Sequence, residues 1–235
     1  MFRLFSSSFN SRQLALIALF LFVPASSIGV TMSLFIAPGA LGNSIFTFAK
    51  IWIVILPLFW TWKFNRHALK LPKFKKSEII VGTLLGIAMF ATILVAYWLW
   101  GKPDIEIIAI RSKAAAVGIT SFQIYLAGFL YWSLINSGIE ECIWRGFVYS
   151  QCAILMRDSL AIIVSAVFFT LHHTIAIYGY THNLLVVILG SLGVLFAGAI
   201  WSWCYRKYAS ILPGYISHIW ADIAIGIVGW DLLFR

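Results

Sequence analysis

Acidic side chains are scarce in this 235-residue chain, which has eight Asp or Glu residues against 17 Lys or Arg. Charged residues of both signs make up 11% of the sequence and hydrophobic residues 62%, a balance that excludes an ordinary soluble domain. Nucleic acid is not expected as a partner. The basic residues behind the net charge of +9 flank apolar runs, where the positive-inside rule places them.

Cysteine is also rare, and its spacing gives no sign of a disulfide-bonded protein. Cys142, Cys152 and Cys204 form no Cys-x-x-Cys pair and lie in or next to apolar runs, so we interpret them as small hydrophobic residues and not as a disulfide framework. No His-Glu-x-x-His sequence is present, which removes the compact local zinc motif. Internal repeats and low-complexity linkers are absent as well.

Apolar runs of about 20 residues fill the chain and predict membrane-spanning helices. Because a helix satisfies its own backbone hydrogen bonds in lipid, the predicted fold is an all-α, polytopic bundle of about seven to eight membrane helices. We expect one integral-membrane domain over residues 1–235, with accessory spans at about 14–100 and a catalytic core at about 119–235. The expected spans are about Leu14–Ile36, Ile45–Trp62, Ile79–Trp100, a long segment Ile119–Met156, Ser159–Ile177, Leu184–Tyr205 and Ile211–Phe234.

A basic stretch between the second and third spans sets the expected orientation. Its members are Lys63, Arg66, Lys70, Lys73, Lys75 and Lys76. This connection is predicted to face the cytoplasm and to contact anionic lipid, which places the N-terminus in the cytoplasm too. We expect a multi-pass protein of a prokaryotic plasma membrane. Apolar sequence continues to about Ile36, so an uncleaved first span is favoured over a cleaved signal peptide.

The segment Ile119–Met156 is too long for one straight span and barely long enough for two. We therefore predict a helix break near Asn136-Ser137-Gly138. A simple span count places Glu140 near the cytoplasmic end of its span and His173 deeper, so their convergence requires a shifted, broken or tilted helix around Gly138.

Glu140, Glu141 and Arg145 are the most informative residues, because each ionised group at the bilayer centre costs about 2.5–3.5 kcal/mol on insertion scales. Positions four apart share one helix face, so Glu141 and Arg145 are expected to pair. Glu140 points about 100° away, which leaves its carboxylate free for chemistry. The alternative interpretation is that a Glu–Arg ion pair only holds helices together and has no role in chemistry.

Two other spans carry polar groups that the apolar background does not explain. His172 and His173 lie in the span that begins near Ser159, and we expect only one of them to face the glutamates. His218 and Asp222 share a face of the last span, which offers an imidazole backed by a carboxylate. Glu, His and His with a nearby Asp are residue types typical of hydrolytic sites. His182 is expected in a connection outside the site.

The sequence resembles the CAAX-protease and bacteriocin-processing family of intramembrane proteases, also called the Abi family. Its first motif, Glu-Glu-x-x-x-Arg, matches Glu140, Glu141 and Arg145, and Gly146 follows as it often does in the family. The second motif is Phe-x-x-x-His and the third is His-x-x-x-Asn or Asp. The matching pairs are Phe169 and His173 or Phe168 and His172 for the second motif, and His218 and Asp222 for the third. His173 is favoured, because Ser165-Ala166-Val167 suits the usual lead-in.

The resemblance implies hydrolysis of a peptide bond within or at the edge of the membrane, in a site open to the cytoplasm. The implied partners are membrane lipid and a peptide or protein substrate, which is lipid-modified in some members. We expect Glu140 to act as general base on water, and His173 and His218 to position that water or stabilise the oxyanion. Asp222 would orient His218 or bind substrate, and Glu141 with Arg145 would fix the motif helix.

Two questions stay open at the level of the sequence. The first is the cofactor: a mechanism without a cofactor is favoured, but Glu140, His173 and His218 are also a plausible set of zinc ligands. The second is the class of protein. One alternative to the peptidase is a non-catalytic membrane immunity or interaction protein, in which the cluster would only hold the helices together. The other is a proton-coupled transporter.

Overall fold

The computed structural model describes residues 10–64 and 75–235, and within these ranges every regular element is a helix. Eight helices follow one another: α1 (Ser11–Ile36), α2 (Ala40–Phe64), α3 (Lys76–Gly101), α4 (Ile107–Ala116), α5 (122–155), α6 (Asp158–Thr181), α7 (Leu184–Tyr208) and α8 (Leu212–Phe234). The all-α fold and the expected helix number are confirmed.

Six of these helices are long and apolar enough to cross a membrane: α1, α2, α3, α6, α7 and α8. Their outer faces carry large apolar side chains such as Phe20, which is 79% exposed, and Leu58, which is 62% exposed. Such a surface needs lipid around it. The chain is therefore a multi-pass integral membrane protein.

Helix α5 is continuous, so the predicted break near Asn136-Ser137-Gly138 is wrong. Asn136 has φ −65° and ψ −42°, and Ser137 has φ −60° and ψ −37°, both ordinary right-handed helical values. Two stretches of wider, π-type turns, Tyr131–Asn136 and Cys142–Tyr149, take the place of a break. A broken helix would expose backbone groups to lipid, whereas a π-type turn keeps them bonded.

The helix ends group at two sides of the bundle. Arg12 donates a hydrogen bond to the carbonyl of Leu155 at 3.2 Å, which places the start of α1 beside the end of α5. Arg206 pairs with Asp158 at 2.6 Å, which places the end of α7 beside the start of α6. We call the side of the bundle that carries these two contacts the basic side. The predicted cytoplasmic residues Arg66, Lys70 and Lys73 lie outside the described residues.

Helices α3 and α8 run parallel and in close contact. A side chain at Gly82 would meet Pro213 and Ile216, and one at Gly86 would overlap the indole of Trp220. Near their other ends, the Tyr97 hydroxyl donates to Asp231 at 2.6 Å. Both helices therefore begin at the basic side, and the two small residues allow α3 to support the helix that carries His218.

An aromatic core joins the N-terminal helices to the rest of the bundle. Phe22 of α1 packs edge-on against Trp144 of α5 with ring centroids 5.3 Å apart, and Trp144 packs in the same way against Phe169 of α6 at 5.3 Å. Trp60 of α2 belongs to the same buried cluster. This core surrounds the part of α5 that carries Glu140 and Glu141.

Candidate active site

Glu141 and Arg145 form a buried ion pair on α5, as the spacing predicts. Arg145 Nη1 lies 3.3 Å from Glu141 Oε1, and the two residues are 1% and 0% exposed. The guanidinium lies over the rings of Phe169 at 4.7 Å and Trp201 at 4.9 Å. Both cation–π contacts lower the cost of keeping this cation away from water.

Glu140 points to a different set of partners, as expected. Its Oε1 accepts a hydrogen bond from Asn136 Nδ2 at 2.9 Å. Lys50 Nζ lies 4.0 Å from the same oxygen, and His218 Nε2 lies 3.9 Å from Oε2. The residue is 6% exposed. One amide therefore orients this carboxylate, and its second oxygen is left for another proton donor.

His218 brings α8 to the glutamates. Its Nδ1 lies 3.1 Å from Glu141 Oε1, and because a carboxylate only accepts, the imidazole N–H donates this hydrogen bond. The ring stacks on Trp201 with centroids 4.2 Å apart. Asp222 Oδ1 lies 3.9 Å from Nε2, which is too far for a hydrogen bond. The shared face of His218 and Asp222 is confirmed, but Glu141 is the carboxylate that holds the imidazole.

Gly214 permits the contact between α5 and α8. A β-carbon at this position would overlap the Glu141 carboxylate, whose Oε2 it would meet first. Glu141 Oε2 is fully buried and has no hydrogen-bond partner among the described residues. Glycine at the start of α8 therefore lets the carboxylate reach the helix backbone and His218 beyond it.

His173 lies at the same depth as Glu140, although a simple span count places it deeper. Glu140 lies 15 residues before Leu155, where α5 ends, and His173 lies 15 residues after Asp158, where α6 begins. Since the two helices are joined at these ends and each rises by about 1.5 Å per residue, the two side chains reach one level. A continuous α5 of matching length brings them together without a break.

A cavity of about 120 Å³ adjoins these residues, enough for several water molecules. Its walls come from α1, α2, α5 and α6, and the lining includes Lys50, Glu140, His172 and His173. Both histidines therefore reach the cavity that Glu140 lines, and the expectation that only one of them faces the glutamates stays a prediction. Adjacent helix positions diverge by about 100°, but a cavity bounded by four helices is wide enough to meet both.

The two histidines differ in how they are held. His173 Nδ1 lies 2.9 Å from the carbonyl of Phe169, so it carries the proton and donates, and its ring packs on Phe169 at 4.4 Å. His172 stacks on Trp144 at 5.3 Å, and its buried Nδ1 has no hydrogen-bond partner in the described part of the chain. His173 has a fixed tautomer, whereas His172 is held mainly by stacking.

These differences predict opposite results for two variants. His172→Phe keeps the stacking on Trp144 and removes an unsatisfied polar atom, so we expect activity within about threefold of wild type and about 1 kcal/mol of added stability. His173→Phe should lower activity by at least about 100-fold. Activity of both variants in liposomes and their melting temperatures in detergent check this. Equal losses in the two variants would contradict the preference for His173.

Sequence reasoning missed Lys50 and Asn136. A predicted span that begins at Ile45 places Lys50 close to a membrane edge, where its ammonium can snorkel. Helix α2 begins at Ala40, so Lys50 lies about 15 Å along it. Asn136 lies four residues before Glu140 in an unbroken helix, a spacing that could have indicated the hydrogen bond. His182, as expected, lies in a connection between helices.

The geometry defines a polytopic membrane protein in which α2, α5, α6 and α8 bring ionisable groups together. Residues 121–224 match the sequence model of a family described as Type II CAAX prenyl endopeptidase Rce1-like. The match confirms the resemblance and supports a CAAX-protease-like peptidase. It contains all six motif residues, and helices α1 to α4 lie outside it. Comparisons with curated proteins and with solved structures found no match.

Proposed function

We propose that this protein is an intramembrane endopeptidase in which Glu140 activates a water molecule to hydrolyse a peptide bond. The single observation that supports the proposal most is the placement of Glu140. Its carboxylate is oriented by Asn136, lies 3.9 Å from His218 Nε2, and lines a cavity of about 120 Å³ together with His173. A water molecule there would have a base beside it and two imidazoles to position it.

The two histidines are suited to positioning that water. Each uses Nδ1–H in a hydrogen bond within the protein, His173 to the carbonyl of Phe169 and His218 to Glu141. In a neutral imidazole the remaining Nε2 then carries a lone pair and accepts. A water hydrogen bonded to such an acceptor keeps its oxygen lone pair for attack on the scissile carbonyl.

Glu141, Arg145 and Asp222 act through these groups as positioning residues. Glu141 accepts a hydrogen bond from His218 Nδ1 and pairs with Arg145, so one carboxylate holds both α8 and α5 in place. Asp222 faces the other nitrogen of the same imidazole at 3.9 Å. Lys50 and Arg145 offset two of the three carboxylates, which lowers the cost of keeping the cluster in the membrane.

The matched family and the membrane setting support a proposal for the substrate class. We propose a membrane-associated peptide or protein ending in a CAAX sequence, with lipid surrounding the enzyme as its second partner. The basic side would face the cytoplasm, because Arg12, Arg206, Lys207 and the beginning of α3 at Lys76 lie there. A prokaryotic plasma membrane is the proposed location.

Zinc is the alternative source of catalytic power that the residue types suggest. Within residues 10–64 and 75–235, no group of three or more His, Cys, Asp or Glu side chains is arranged to hold a metal ion. His218 Nε2 and Glu140 Oε2 approach to 3.9 Å. We therefore favour a mechanism without a metal, and the proposed steps use the protein groups alone.

Peptide hydrolysis by the purified protein tests this function. Wild-type protein in liposomes is given fluorogenic peptides ending in a Cys-aliphatic-aliphatic-X sequence, with and without a farnesyl group, and the products are identified by mass spectrometry. Internal cleavage of either peptide supports the proposal. Release of a single C-terminal residue, or no cleavage of any peptide, would overturn it.

Chelation provides a separate prediction for the same preparation. We expect activity to survive exhaustive dialysis against a strong chelator, and elemental analysis to find no stoichiometric metal, because Glu140 and the histidines supply the proton transfer and the water positioning themselves. An inactive dialysed protein that recovers when zinc is added would contradict the metal-free mechanism and leave the peptidase function in place.

A further inference from the structure

Lys50 lies in an unusual place for a lysine of a membrane helix. Long cationic side chains in such helices extend to the membrane surface, where the ammonium stays in water. Lys50 instead directs its Nζ to the cavity wall, 5.1 Å from the ring centroid of Trp132 and 5.8 Å from that of Phe46. The side chain is 34% exposed there. Two aromatic faces hold the cation in the cavity.

The ammonium group of Lys50 has hydrogen-bond donors to spare. Its nearest carboxylate oxygen, Glu140 Oε1, is 4.0 Å away, beyond hydrogen-bond distance, and that oxygen already accepts from Asn136. No described residue accepts a hydrogen bond from Lys50 Nζ. An ammonium carries three donors, so this group is available to an acceptor that enters the cavity.

The other cationic and imidazole groups are less suited to that acceptor. Both histidines use their Nδ1–H internally, and any proton on His218 Nε2 faces the carboxylates of Glu140 and Asp222, each 3.9 Å away. Arg145 is 1% exposed, pairs with Glu141 and does not line the cavity. Lys50 is therefore the cation that both adjoins Glu140 and reaches open space.

Hydrolysis moves negative charge from Glu140 to the substrate, and the ammonium group of Lys50 can stay close to that charge. Water gives a proton to the Glu140 carboxylate while its oxygen bonds to the carbonyl carbon, and the π electrons of the carbonyl become the oxyanion. The C–N bond then breaks, the oxyanion returns to a carbonyl, and the proton passes from Glu140 to the leaving nitrogen. During the first step the charge leaves Glu140 and appears a few ångströms away on the intermediate.

We propose that Lys50 is a further catalytic residue, whose ammonium group hydrogen bonds the oxyanion of the tetrahedral intermediate. In the resting site Lys50 makes two cation–π contacts and a long ion pair but no hydrogen bond, so a hydrogen bond formed to the oxyanion is gained in the transition state alone. The proposal rests on the peptidase function proposed above. It also makes α2, which lies outside the family match at 121–224, part of the catalytic unit.

The test compares Lys50→Met and Lys50→Arg with wild type on a peptide that the wild-type protein cleaves. Lys50→Met should lower kcat by about 100-fold and leave KM within about threefold, the pattern of a lost oxyanion donor. Lys50→Arg keeps a cationic donor and should recover at least about tenfold of that loss. A phosphinate version of the peptide, which mimics the charged intermediate, should lose affinity for Lys50→Met by the same factor as kcat/KM.

Lys102→Met is the matched control. Lys102 is a second half-buried lysine, with 36% of its side chain exposed, and it bonds the buried carboxylate of Asp231 at 2.6 Å, away from the cavity. This variant should keep kcat even if it melts at a lower temperature. The Lys50 proposal is overturned if Lys50→Met keeps kcat, raises only KM, or loses no more than Lys102→Met. Wild-type protein that cleaves no peptide overturns the peptidase function itself and the role of Lys50 with it.

Discussion

Glu140→Gln is expected to abolish peptide hydrolysis, with a loss of about 1,000-fold or more in kcat, while the protein stays folded. Gln keeps the size of Glu140 and can still hydrogen bond Asn136, but it has no basic oxygen to take a proton from water. The measurement is kcat in liposomes together with the melting temperature in detergent. Elution from a sizing column shows whether the variant keeps its shape.

Asp231→Asn is the matched control for this variant. Asp231 is 5% exposed and Glu140 is 6% exposed, and each has a lysine beside it. Asp231 lies 13 residues beyond His218 on α8, about 20 Å along the helix. A loss of activity confined to Glu140→Gln ties the effect to the site. If Glu140→Gln retains its activity in cells, the non-catalytic interaction protein becomes the better interpretation.

The positions of the helices could be predicted from the sequence because lipid imposes one rule on all of them. Each apolar run must form a helix that satisfies its own backbone, and α7 accordingly begins at Leu184, where the hydropathy places it. The same rule explains the error at Asn136-Ser137-Gly138. These residues favour a break in water, but in lipid the wider turns of α5 keep the backbone hydrogen bonded.

Contacts within one helix could be predicted as well, because they depend on spacing alone. Glu141 and Arg145 pair across one turn as expected. Contacts between helices follow from packing, which the sequence does not reveal. Nothing in the motif spacing indicates that Glu141, and not Asp222, would hold His218, because that bond depends on the close approach of α5 and α8 at Gly214. Lys50 was missed for a smaller reason, an error of five residues in the start of α2.

Arg145→Met is expected to destabilise the protein by about 3–5 kcal/mol, the usual cost of leaving one partner of a buried ion pair alone. Glu141 would lose the cation 3.3 Å away and remain fully buried, with Oε2 already lacking a hydrogen-bond partner among the described residues. Denaturation of the folded protein in mixed micelles, followed by tryptophan fluorescence, gives the free energy of unfolding. Trp201, over which the guanidinium lies, is one of the 11 tryptophans that contribute to this signal.

Two further variants separate burial from charge. Arg206→Met removes a shorter pair, 2.6 Å from Asp158, but both side chains are about half exposed, so we expect a cost of only about 0–1 kcal/mol. The double variant Glu141→Gln with Arg145→Met removes both buried charges and should recover much of the stability that Arg145→Met loses. It should not recover activity, because His218 Nδ1 then donates to a neutral amide and is held less firmly. A cost for Arg145→Met no larger than that for Arg206→Met would mean that the motif arginine is not a structural anchor of the site.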